Sequence, residues 1–102
     1  NNGKGEAFSP TDLVATALAS CMLTIMGIIA QKYKIDITGA KATIHKMMGS
    51  NPRRIKEIII EISLNKKINS KNRKLLKKAA LLCPVGKSLE QDIIQNIRFN
   101  YV

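Results

Sequence analysis

Tryptophan is absent from the 102-residue chain, and only two Tyr and two Phe occur. A folded core must therefore be built from aliphatic side chains. The same scarcity removes the platform on which single-stranded bases stack, because no aromatic is interleaved with the basic runs. Histidine occurs once, at His45. With two distant cysteines it cannot assemble a zinc site, so no metal is expected. Gly86-Lys87-Ser88 resembles the tail of a phosphate-binding loop, but Leu81 stands where that motif needs glycine, and no cofactor is expected. Acidic residues are also few, 7 against 17 basic ones, for a formal charge of +10. Such a balance favours anionic partners, nucleic acid among them. Most of the cations are Lys, however, and only Arg53, Arg54, Arg73 and Arg98 offer the fork geometry suited to reading bases. A nucleic-acid-binding module is thus a weaker reading than a solvated basic surface. No signal peptide is visible, which points to a cytoplasmic setting. The chain opens Asn-Asn-Gly without Met, so a preceding segment is expected.

Hydrophobic residues make up 45% of the chain, too many for a disordered tail. The length suits one small domain spanning residues 1–102, marginal by itself, so a homodimer that buries further area fits. Residues 1–8 read as a Gly-rich loop. Ser9-Pro10-Thr11-Asp12 then opens a helix, with Ser9 as N-cap, Pro10 in the first turn and Asp12 completing a capping box. Leu13 to Ala30 runs 18 residues without a charge. It spans ~27 Å as a helix, the lower limit for a bilayer, yet it is rich in Ala, Ser, Thr and Gly. A helix buried in a globular core, not a membrane span, is the reading preferred here.

Period-two alternation predicts strands over Ile35 to Lys46, Ile55 to Leu64 and Asn96 to Val102. Gly49-Ser50-Asn51-Pro52 is a turn cluster that would join the first two as an antiparallel hairpin. In the second, Ile58, Ile60, Ile62 and Leu64 form one face. A basic amphipathic helix runs from Asn69-Ser70 through Leu82, with Leu75, Leu76, Ala79, Ala80 and Cys83 on its apolar stripe. Pro84 breaks it and starts a shorter helix capped by Cys83. The fold class is therefore α+β.

Cys21 and Cys83, 62 residues apart, are the chemical candidates. Cys21 shares a helix face with Leu13, Ala17, Ile25 and Ile28. Cys83 lies on an apolar stripe and at a helix start, where free N–H groups favour a thiolate. Both point toward one core, which allows a dithiol that cycles through a disulfide. Two inert buried thiols remain the alternative. His45 reads as a solvent-facing strand residue. Met22, Met26, Met47 and Met48 read as core filler.

Three stretches in register resemble the OsmC/Ohr family of osmotically inducible and organic-hydroperoxide-resistance proteins. They are GEAFSPTDLVATALASCM (Gly5 to Met22), RRIKEIIIEISL (Arg53 to Leu64) and KLLKKAALLCPVGKSL (Lys74 to Leu89). The resemblance implies a long central buried helix on curved antiparallel sheet, with a second helix pair near the C-terminus. It implies a homodimer that reduces a small hydroperoxide in an apolar pocket beside Cys21, reset by an external thiol reductant. By position, Cys21 would be the peroxidatic thiol and Cys83 the resolving one. Thr11 stands where hydroperoxide reductases carry Glu, and Asp12 matches the acid of the broader OsmC-like branch. Asp12 either orients an Arg or caps the helix. The family's catalytic Arg belongs to N-terminal strands that this chain does not contain, and Gly86 replaces a frequent His. These departures keep open a catalytically weak member that binds a small apolar ligand or partner.

Overall fold

The computed structural model describes residues 9–102. The expected loop over 1–8 lies outside the described residues. Helix α1 runs Pro10–Lys32 and begins as the capping box dictates. The Ser9 hydroxyl accepts the Asp12 N–H at 3.2 Å, and the Asp12 carboxylate accepts the Ser9 N–H at 3.3 Å. Two carbonyls at its far end are closed by Lys34 N–H to Gln31 and Ile35 N–H to Ala30, the latter at 2.8 Å. This paired closure requires a left-handed residue, and Lys34 supplies it at φ 54°.

Strands β1 (Lys41–Gly49) and β2 (Arg54–Leu64) pair antiparallel, with Ile44 opposite Ile60, as the turn cluster predicts. β1 starts later than the alternation suggests. Asp36 accepts the Thr38 N–H at 2.9 Å and Gly39 takes φ +84°, so residues 36–39 turn instead of extending. Helix α2 (Ser70–Ala80) is capped by Asn69, and the short α3 (Pro84–Ser88) by Cys83. Strand β3 (Ile94–Tyr101) completes a sheet of order β1-β2-β3.

The sheet is not the wholly antiparallel one that the resemblance implies. β3 pairs with β2 in parallel, Ile60 opposite Ile97 and Leu64 opposite Tyr101, so the sheet is mixed. The reason is the connection. α2 and α3 both lie between β2 and β3, and a helical crossover returns the chain to the end of the sheet from which β2 began. A bidentate pair from Arg54 to Asp92, both contacts at 2.6 Å, fastens that return beside the start of β2.

β2 is the central strand, which explains its isoleucines. Ile58, Ile60 and Ile62 are wholly buried beneath α1 and its neighbours. α1 contributes Ala15, Leu18, Ala19, Met22, Met26 and Ala30, one stripe at helical spacing. The small residues let the helix and the sheet approach closely. α1 is thus buried along one face only. Leu13 and Ile28 on another face are more than half exposed. α2 lies against α1, and Arg73 stacks on Tyr101 at 4.0 Å while donating to the Ile68 and Lys66 carbonyls. Those contacts hold the crossover helices in place and so position Cys83. His45 is exposed, as its place on the strand predicts.

Candidate active site

Both cysteines are free, and the fold brings them together. The Cys21 thiol, midway along α1, lies close enough to the Cys83 thiol at the α2–α3 break to act on its charge. Their environments differ. Cys83 is 1% exposed, whereas Cys21 sits half-buried at the edge of the packed stripe. The shared face of Leu13, Ala17, Cys21, Ile25 and Ile28 therefore does not point into the core. The inward stripe is offset from it, so Cys21 is at a boundary and Cys83 is inside.

Burial pushes the Cys83 thiol above its ordinary pKa, because a charged sulfur would have to sit in a dry interior. The Gly86 N–H donates to Cys83 Sγ at 3.3 Å and opposes that rise, and the Cys21 thiol beside it adds to it. The helix-start argument for a Cys83 thiolate is thus correct in sign, but burial outweighs it.

Asp12 is placed elsewhere. Nine residues separate it from Cys21, about 13 Å along a helix axis. It completes the capping box and pairs with Lys46 of β1 at 3.0 Å. Lys46 also donates to Thr11 at 2.9 Å and is only 18% exposed. The hydrogen bond from this ammonium holds the Asp12 carboxyl below the usual carboxylate range. Lys46 escaped the sequence reading, although a lysine in register with Ala42 and Ile44 was a signal of an ammonium with a partner across from the strand. Gln95 escaped it too. It comes from β3 and donates to the Gly86 carbonyl at 2.9 Å.

Exposed apolar side chains lie further along the same elements. Leu13 and Ile28 flank Cys21 two turns away on its own face, and Leu81 and Leu82, the residues before Cys83, are 45% and 57% exposed. A larger cavity of about 940 Å³, lined by Tyr33, Leu75 and lysines 71, 74 and 78, lies toward the C-terminal end of α1, and neither thiol lines it. Among the described residues no cluster of three or more His, Cys, Asp or Glu could hold a metal ion.

The family model for OsmC-like protein matches residues 3–97. The chain belongs to the OsmC-like family. A Psychrobacter arcticus crystal structure, named for an osmotic stress induced and detoxification response role, is 52% identical with a TM-score of 0.91. The match covers 97% of this chain and 72% of that one. An organic hydroperoxide resistance protein OsmC from Legionella pneumophila shares the fold at 17% identity and a TM-score of 0.79, covering 97% and 74%. The OsmC-like protein of Mycoplasma pneumoniae does so at 16% and 0.83, covering 100% and 77%. No curated protein matches the sequence. The OsmC-like membership, the α+β class and the long helix on the sheet agree with the resemblance stated above.

Proposed function

We propose that this OsmC-like protein is a thiol peroxidase that reduces organic hydroperoxides or hydrogen peroxide through a Cys21/Cys83 cycle. The observation that carries the reading is the meeting of two free thiols from distant parts of the chain, one partly buried at the core's edge and one buried. In the first step the Cys21 thiolate attacks the hydroxyl-bearing peroxide oxygen. The O–O bond breaks, the alkoxide (or hydroxide) takes back from solvent the proton that the thiol had released and leaves as alcohol (or water), and Cys21 becomes a sulfenic acid. In the second step the Cys83 sulfur attacks the Cys21 sulfur. Water carries away the hydroxyl and the thiol proton, and a disulfide remains. An external thiol reductant then returns two electrons and two protons. Peroxide must reach Cys21 and not the solvent-shielded Cys83, which supports the peroxidatic role for Cys21.

Exposed Leu13 and Ile28 on the Cys21 face favour an apolar hydroperoxide, and a second copy of the chain covering them would supply a homodimer. Two free thiols fit the reducing cytoplasm. Asp12 takes a structural role in this reading, through the cap and Lys46. The test is mass spectrometry of peroxide-treated protein. A loss of two hydrogens linking the Cys21 and Cys83 peptides is expected, and Cys21→Ser is expected to abolish peroxide consumption. Full turnover in Cys21→Ser would end the assignment.

A second reading has its own observation. The acid and the inward cation of this chain, Asp12 and Lys46, satisfy each other at the helix start and not at the thiol. That arrangement favours a catalytically weak member that binds a small apolar ligand or partner. Alkylation separates the two. A Cys21 that reacts at pH 7 no faster than an ordinary thiol of pKa ~8.5 selects this second reading.

A further inference from the structure

A five-residue helix cannot satisfy its own carbonyls. α3 ends at Ser88, so the Gly86 carbonyl has no helical N–H ahead of it. Gln95 of β3 fills that gap, donating from Nε2 at 2.9 Å. On the other side of the same residue, the Gly86 N–H donates to Cys83 Sγ at 3.3 Å. Gly86 is therefore held from both ends, by the sheet through its carbonyl and by the thiol through its amide.

The packing is close enough that a side chain at this position would press on Gln95. A Cβ on Gly86 would lie 2.9 Å from Gln95 Oε1 and 3.3 Å from both Cys83 Sγ and Leu18 Cδ1. The glycine lets the Gln95 carboxamide come this close, and its backbone angles do not call for glycine, since its φ is not positive. The carboxamide of Gln95 thus both completes the short helix and walls one side of the space beside the sulfur.

We infer that Gln95 is a positioning residue for Cys83. By holding the Gly86 carbonyl it keeps the Gly86 N–H aimed at Sγ, and so sets how readily this sulfur acts as a nucleophile. A buried thiol needs such help, because the dry interior disfavours its charged form and an N–H directed at sulfur restores part of the loss. Without Gln95 the last turn of α3 frays, the amide swings away and the sulfur keeps only the penalty of burial. In the cycle proposed above, Gln95 acts on the second step and leaves the attack of Cys21 on peroxide unchanged. That kinetic consequence rests on the peroxidase reading, but the effect on the Cys83 thiol does not.

The test titrates Cys83 alone, by ultraviolet thiolate absorbance in a Cys21→Ser background. Gln95→Met keeps the side-chain length and removes the donor. It is expected to raise the Cys83 titration by about one pH unit, a tenfold loss of thiolate at a given pH. Gln95→Glu keeps the shape and turns a carboxylate toward the Gly86 carbonyl, and should raise it at least as far. With both thiols present, single-turnover oxidation should show Cys21 reacting at the parent rate and the disulfide closing about tenfold more slowly in Gln95→Met, the same loss of thiolate read kinetically. A lower melting temperature with an unmoved Cys83 titration in both variants would make Gln95 structural only and overturn the proposal. A parent protein that forms no disulfide with peroxide would defeat the peroxidase reading instead, and the titration would still decide Gln95.

Discussion

Two polar clusters lie along α1 and are built on opposite terms. At the helix start, Ser9, Thr11, Asp12 and Lys46 form an ion-paired group that water still reaches, Asp12 being 42% exposed. Halfway along, Cys21, Cys83, Gly86 and Gln95 form a neutral group around a sulfur that water does not reach. The difference shows where this small fold tolerates charge. A permanent ion pair sits at the rim, where losing solvent costs little. The thiols stand at the boundary of the core (Cys21) and inside it (Cys83), where a neighbouring amide has a large influence on a sulfur.

Removing packing should break the contrast most strongly. Leu18 is fully buried and touches the Gly86 turn, so Leu18→Ala should cost about 3 kcal/mol of stability by urea unfolding and loosen the Cys83 surroundings. A loss below about 1 kcal/mol would show that the thiol cluster is not tightly packed. Ser9→Ala removes the cap at the other cluster and should cost about 1 kcal/mol, leaving disulfide formation intact. If it slowed the disulfide as much as Leu18→Ala, the two clusters would not be independent.

The smallest effects lie in pH dependence and have opposite signs. Asp12 has its pKa lowered by folding. Its contribution is present above the ordinary carboxylate value of ~3.9 and is lost as pH falls through the folded value. Asp12→Asn should therefore flatten acid unfolding. Cys83 has its pKa raised by folding. Its contribution is intact below the unfolded thiol value of ~8.5 and is lost as pH climbs from there through the folded value. Cys83→Ala should flatten the alkaline side of a stability-against-pH curve and leave the acid side alone. An alkaline limb unchanged in Cys83→Ala would place the titrating group elsewhere.

Local chemistry made much of this molecule legible. The capping box at Ser9, the Pro84 break and the Ile58–Leu64 alternation each follow from adjacent residues, and the structure places all three where that chemistry predicts. Boundaries were less legible where turns compete with strands, as at Asp36 to Gly39. The facing of α1 was not legible at all. With apolar residues on every side, periodicity cannot choose which stripe meets the sheet, and so Cys21 came to the edge instead of the interior.

The sequence by itself determined the elements, their caps, the family and the two thiols, because each depends on residues close in the chain or on a motif read in order. Only the tertiary structure decided that β3 runs parallel to β2, that Lys46 closes on Asp12, and that Gln95 reaches the turn behind Cys83. Those contacts join residues tens of positions apart, or hang on a single side chain crossing from a strand to a short helix. Their partners are selected by how the layers pack, and no local pattern carries that information.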